Sequence, residues 1–222
     1  TGLPAAGAVS TASDVAKMYA YIMKSRYYGK DHSVWMFDLE HPSGRVTGLT
    51  NTNKHARFFQ NSTGGKTGFT KEAGHCIVAT AERNNLQPIA VIIGASDSKT
   101  RFAESADLMN YTFDNYQNKL IVSADKPVGN VKLTRAWDNN TNVFPKHNFY
   151  DLVKKGDKGE PIVNVEVSKK VSAPVTCDTS VGKIVITEDG PVLEVIDLVT
   201  GKHIPKLSYG QGVKKIAQKF KL

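Results

Sequence analysis

The 222-residue chain reads as an α+β region followed by a C-terminal all-β sandwich domain, and three observations predict this. Apolar side chains recur at helical spacing over residues 13–24 and again over 100–113. Between them, the β-rich runs 75–82 and 88–94 flank the polar turn Arg83-Asn84-Asn85, the pattern of an antiparallel hairpin. From about residue 118 no long helical period returns until the tail, while short alternating runs recur between turn signals.

Thr11 and Asp14 form a capping box with Asp in place of Glu, and Val15, Met18, Tyr19 and Ile22 then mark one helical face. Residues 29–62 are rich in turn formers, including Gly29, Pro42-Ser43-Gly44 and Asn51-Thr52-Asn53, so short strands and loops are expected there. After the hairpin, Thr100 is read as the cap of a second helix, with Phe102, Ala106, Met109 and Phe113 along one face. Strands are expected at 129–137, 148–153, 162–167, 183–187 and 192–198. Val213, Ile216, Ala217 and Phe220 then fall at helical spacing among Lys214, Lys215, Lys219 and Lys221, which makes a short basic amphipathic helix. Such a helix suits an anionic membrane surface; the plainer reading is a solvated terminus. The expected domains are therefore 1–117, 118–207 and a basic tail at 208–222.

The net charge of +8 is unevenly placed. Residues 1–116 carry 12 basic and 10 acidic side chains, whereas 117–222 carry 17 and 11, and from Lys206 onward five lysines stand without an acid. A positive balance concentrated in the tail argues against nucleic acid as a partner. No segment has the roughly 20 apolar residues of a spanning helix. The start, Thr1-Gly2-Leu3-Pro4, shows no basic and apolar targeting pattern, so we expect any targeting peptide to be absent or removed. Cys76 and Cys177 form no Cys-x-x-Cys pair and leave a disulfide open; we read both as small buried apolar residues. The six histidines show no metal-ligand spacing, and neither a metal nor another cofactor is expected. Gly65-Lys66-Thr67 has the ending of a phosphate loop, but Gln60 stands where that motif needs its first glycine.

The chemistry is concentrated in Gly64-Gly65-Lys66-Thr67-Gly68-Phe69-Thr70, just ahead of the hairpin. Lys-Thr-Gly is one of three boxes shared by β-lactamases and penicillin-binding proteins. Its neighbours extend the match: Gly2-Leu3 leading to Ser10-Thr11-Ala12, Asn51-Thr52-Asn53, Ala73-Gly74, and Lys99-Thr100-Arg101 before Ala103-Glu104. In order and spacing these resemble the low-molecular-mass penicillin-binding proteins, the serine D-alanyl-D-alanine carboxypeptidases.

The resemblance implies part of a β-lactamase/transpeptidase-like domain with an antiparallel sheet, then a β domain and a membrane-surface segment. It implies an extracytoplasmic enzyme, peripheral to the membrane, that trims peptidoglycan stem peptides ending in D-Ala-D-Ala through an acyl-enzyme and is acylated by β-lactams. Lys66 is carried over as the catalytic-site cation, and Thr67, Gly68, Phe69 and Arg101 as substrate-binding residues. An extended peptide can pair with a strand edge while a cation and a hydroxyl hold its carboxylate. By resemblance the Phe69 N–H forms half of an oxyanion hole and Arg101 approaches the terminal carboxylate. The family's Ser-x-x-Lys and Ser-x-Asn boxes lie ahead of the Gly-Leu segment, so this polypeptide is expected to lack its nucleophile, to be inactive alone, and to need the missing N-terminal part of its catalytic domain. The strings Ser96 to Lys99, Ser123 to Lys126 and Ser180 to Lys183 follow the third box and are read as decoys. The alternative is a non-catalytic peptidoglycan-binding or scaffolding protein that retains the cleft.

Overall fold

A computed structural model describes residues 5–25, 28, 31–157 and 159–219. Of the sequence expectations, residues 1–4, Gly29, Phe220 and Lys221 lie outside the described residues. The chain divides into two compact units, residues 1–118 with 153–155, and residues 119–152 with 156–222.

In the first unit, α1 (Ala12–Met23) starts where its capping box predicts: Thr11 Oγ1 accepts from the Asp14 N–H at 3.1 Å and donates to the Asp14 carboxylate at 2.9 Å. Two short strands, β1 (Met36–Glu40) and β2 (Val46–Thr50), pair antiparallel, and α2 (His55–Phe58) adds one helical turn inside the stretch read as strands and loops. Then β3 (Ser62–Thr70), β4 (Gly74–Ala81) and β5 (Ile89–Ala95) form an antiparallel sheet in that order, with the Lys-Thr-Gly strand at one edge. The side-chain period of two separates its faces. Val78 and Val91 pack toward Tyr19 and Val15 of α1, whereas Ile77, Ala79 and Ala90 pack with Met109 and Phe113 of α3 (Ser98–Asn115).

The cap of α3 corrects the sequence reading. Asp97, not Thr100, is the N-cap: its carboxylate accepts the Thr100 N–H at 2.8 Å and the Thr100 hydroxyl at 2.9 Å. These bonds hold the Asp97 carboxyl below its ordinary pKa. Thr100 is the donor within the first turn, and the buried stripe runs Arg101, Ser105, Met109, Phe113, with Phe102 and Ala106 beside it.

The second unit is mainly β. A two-stranded ladder pairs β6 (Tyr116–Val122) with β9 (Phe149–Lys154), of which residues 116–118 and 153–154 are counted with the first unit, and a six-stranded sheet runs β10-β12-β13-β8-β7-β11. Its members are β7 (Gly129–Thr134), β8 (Asn140–Pro145), β10 (Ile162–Val167), β11 (Lys170–Ser172), β12 (Gly182–Thr187) and β13 (Val192–Val199). Pairing of β13 with β8 is confined to two residue pairs, so the sheet consists of two halves. Alternate residues of both halves, among them Val131, Val143, Ile184 and Ile196, bury in one core, which is sandwich packing. The approach is close: a Cβ on Gly129 of β7 would stand 3.3 Å from Val167 of β10. The basic tail forms α4 (Tyr209–Lys219), with Lys215 Nζ donating to the Ala136 carbonyl at 2.8 Å. Both cysteines are free, and they correct the expectation of burial: Cys76 is half-buried and Cys177 is exposed in the loop before β12.

Candidate active site

Two glycines decide how β3 enters the site. Gly64 and Gly65 have φ of +136° and +152°, and the register against β4 slips by one residue between Ser62 and Gly64. A Cβ on Gly65 would lie 2.4 Å from the Val78 carbonyl and 2.6 Å from Asn53 Nδ2, and one on Gly64 would strike His32 and Tyr28. Backbone thus runs where side chains would otherwise stand, and from Lys66 onward β3 pairs regularly with β4.

Alternation then distributes the predicted residues over two faces. Lys66 lies on the α1 side, where it lines a groove of about 410 Å³ with Val9, Ser10, Cys76, Val78 and Val91. Its ammonium donates to the Thr67 carbonyl at 2.6 Å. Thr67 is buried on the opposite face and its hydroxyl donates to Thr52 Oγ1 at 2.9 Å. Gly68 is exposed, and a Cβ there would meet nothing nearer than Cys76 at 4.0 Å, so packing does not require glycine at this position. The Phe69 ring is 62% exposed and rests against His75, ring centroids 4.5 Å apart.

Arg101 reaches this strand from the first turns of α3. Its guanidinium donates to the carbonyls of Gly68 at 3.0 Å and Cys76 at 3.2 Å and stacks over Phe102. The residue is only 9% exposed and its Nε has no hydrogen-bond partner. Among the described residues no carboxylate pairs with it. Its Nη2 also donates to Ser98 Oγ at 3.4 Å, so the buried cation meets only neutral oxygens, an unbalanced charge that favours an anion beside it.

These features coincide with two matches. The sequence pattern described as D-alanyl-D-alanine carboxypeptidase fits residues 1–97, and that of the penicillin-binding protein 5 C-terminal domain fits residues 116–206. The chain belongs to the low-molecular-mass penicillin-binding proteins of the D-alanyl-D-alanine carboxypeptidase family. It is 29% identical over 210 residues to D-alanyl-D-alanine carboxypeptidase DacF of Bacillus subtilis, covering 94% of this chain and 54% of that one. The crystal structure of penicillin-binding protein 5 from Haemophilus influenzae superposes with a TM-score of 0.59 at 25% identity, over 89% of this chain and 57% of the other. A peptidoglycan synthesis regulatory factor (PBP3) from Streptococcus pneumoniae shares the fold at 17% identity, with a TM-score of 0.61 over 84% of this chain and 54% of that one. The chain spans about half the length of the curated relatives it matches.

Within this penicillin-binding protein chain, none of the three Ser-x-x-Lys strings sets a hydroxyl against its lysine. Ser96 Oγ bonds to Asp97 and Thr100. Ser123 Oγ accepts from the Asp125 N–H. Ser180 Oγ donates to Asp197 and the Gly182 carbonyl, while Lys183 pairs with Glu166.

Of the supporting groups, Asn51-Thr52-Asn53 was noted in the sequence as a turn-forming run, whereas His55 and Ser105 were not singled out. Thr52 orients Thr67, and the Asn51-Thr52-Asn53 segment is itself fixed by side-chain bonds: Asn51 Oδ1 accepts the Asn53 N–H at 2.9 Å, and Asn53 Oδ1 accepts the His55 N–H at 3.1 Å. His55 is buried between Phe59 and Phe102 with its Nε2 2.7 Å from Ser105 Oγ, and burial holds its pKa down at about 4. It ties the 51–55 segment to α3. Among the described residues no group of three His, Cys, Asp or Glu side chains is placed to hold a metal ion.

Proposed function

We propose that β3 and Arg101 form the substrate-carboxylate side of a serine-type D-Ala-D-Ala carboxypeptidase cleft. An extended stem peptide lies along the free edge of β3, and its terminal carboxylate meets the Arg101 fork beside the Gly68 carbonyl. The observation that carries this reading is the buried guanidinium without a carboxylate partner among the described residues: it is stationed on the backbone of Gly68, and its Nε has no partner. Gly68 supports it, because the missing side chain leaves room for a ligand and serves no internal contact. Lys66 adds positive potential from the α1 side. Phe69 lends its N–H to the developing oxyanion, a donor worth about 3 kcal/mol when paired with a second one.

In the complete reaction a serine hydroxyl attacks the penultimate D-alanine carbonyl, D-alanine leaves with a proton, and water resolves the acyl-enzyme. β-Lactams react with the same serine by opening their ring. We infer that none of Ser96, Ser123 and Ser180 is that nucleophile, because each is committed to a carboxylate or backbone partner away from its lysine. These 222 residues therefore bind the peptide end and are not themselves acylated. The basic helix α4 is proposed to lie on an anionic membrane outside the cytoplasm, with Val213 and Ile216 inward.

The test is direct. Diacetyl-Lys-D-Ala-D-Ala should bind in calorimetry, and Arg101→Gln should weaken it by roughly tenfold or more, since a charge-assisted bond contributes about 1.5–3 kcal/mol. Labelled penicillin followed by intact-mass spectrometry should show no adduct. Unchanged affinity in the variant rejects the carboxylate role, and a covalent adduct on Ser96, Ser123 or Ser180 rejects the assignment of the three serines.

A further inference from the structure

In the second unit, β8 runs beside β7 over Asn140 to Val143 but meets β13 only at Phe144 and Pro145. The Asn139 and Val143 carbonyls accept the N–H groups of Leu133 and Val128, so odd-numbered residues here turn their backbone groups toward β7. Successive residues of an antiparallel strand alternate, which turns the N–H and C=O of Asn140 and Asn142 the other way. Pairing with β13 has ended there, and the fork between the strands opens as a groove of about 760 Å³ lined by Asn140, Asn142, Phe144, Lys146 and Lys202, with Asp125 also on its wall.

The side chains repeat the theme. Asn130 stands directly across from Asn142, and Lys132 lies between Asn140 on one side and Lys170 on the other. The amides of Asn130, Asn140 and Asn142 are exposed, and none has a hydrogen-bond partner among the described residues. Each is a planar group with two donors and a double acceptor. Phe144 closes the row as a half-buried ring whose edge rests on Gly201, where a Cβ would come within 3.3 Å of it. Lys202 pairs with Asp138 at 3.5 Å, whereas Lys132, Lys146 and Lys170 have no ion-pair partner among the described residues.

We propose that this groove and the adjoining face bind a glycan, an N-acetylated amino-sugar chain that carries carboxylates. Free amides and turned-out backbone groups match hydroxyl and acetamido groups. An aromatic ring accepts the apolar face of a pyranose, and unpaired lysines meet the carboxylates. A peptide strand is a poorer match, because only two residues of strand edge are free for pairing. The inference is independent of the reading of Lys66 and Arg101.

The probe is a hyaluronan tetrasaccharide, which has both acetamido and carboxylate groups, titrated into ¹⁵N-labelled protein. Saturable shifts are expected at Asn130, Asn140 and Asn142. Affinity should fall about tenfold in Asn142→Ala, whose thermal unfolding should match the parent because the side chain is exposed and unbonded. An N-acetylglucosamine tetramer, without carboxylates, should shift the same residues more weakly, and Arg101→Gln should leave the binding unchanged. Failure of both sugars to bind, or equal affinity in Asn142→Ala, overturns the proposal. So does binding restricted to heparin and abolished by salt, which would reduce the face to a lysine patch, or preferential binding of an extended peptide.

Discussion

Gly65 and Gly68 sit three positions apart in β3 for different physical reasons. Gly65 is required from within, since any Cβ would collide with the Val78 carbonyl and with Asn53. Gly65→Ala should therefore destabilise the first unit by about 3 kcal/mol or more in urea unfolding. Gly68→Ala should change stability by less than about 0.5 kcal/mol and yet weaken binding of a D-Ala-D-Ala peptide. A second residue-scale prediction concerns His55. Its folded pKa is depressed to about 4, below the ordinary 6.5, so the unfolded chain binds more protons between those values. The stability it contributes is complete above about pH 6.5 and is lost as pH falls toward 4, on the order of 2–3 kcal/mol. Urea midpoints measured from pH 7 to 4.5 should decline, and the decline should be shallower in His55→Gln. The candidacy of Lys66 and Thr67 was legible in the compact Lys-Thr-Gly string, and that of Arg101 in the separate Lys99-Thr100-Arg101 segment. The supporting roles of Thr52, His55 and Ser105 were not, because the contacts that give them a role join positions 15 and 50 residues apart.

At the scale of elements, local signals that match the backbone hydrogen bonding were readable. The Thr11 capping box placed α1, and the Arg83-Asn84-Asn85 turn placed β4 against β5, with Asn84 and Asn85 both at positive φ. The start of α3 was misplaced because Asp97 and Thr100 are both good caps, and only the bond direction distinguishes them. Strand β8 escaped notice because Asn140, Asn142 and Pro145 spell a turn, and tertiary pairing with β7 overrides that preference. Cys177 was misjudged for a similar reason: cysteine is usually buried, but this one sits in an exposed loop. For α4, the exposed apolar pair Val213 (52%) and Ile216 (59%) beside Lys214 and Lys215 predicts binding to anionic vesicles. Cosedimentation should require an anionic lipid, weaken in high salt, and be lost in Val213→Asp/Ile216→Asp. Retention by neutral vesicles in high salt would oppose it.

For the whole molecule, the two units carry separate cores: residues of α1, α3 and β3–β5 build one set of clusters, and residues 122–204 another. Each unit is thus stabilised mainly by its own burial. Trp35 and Trp137 report one unit each, and the single-tryptophan variants should show urea transitions with different midpoints. The family likeness over residues 1–97 and 116–206 accounts for this order of an α+β region before a mainly β one. We propose, more narrowly, that the buried Arg101 guanidinium on the Gly68 carbonyl receives a peptide carboxylate. This claim is tested most directly by titrating diacetyl-Lys-D-Ala-D-Ala into ¹⁵N-labelled protein beside the same peptide with an amidated C-terminus. The account predicts saturable shifts at the Gly68 and Phe69 amides and at Arg101 Nε with the acid, and little response to the amide; equal responses to the two, or none at these three groups, would contradict it.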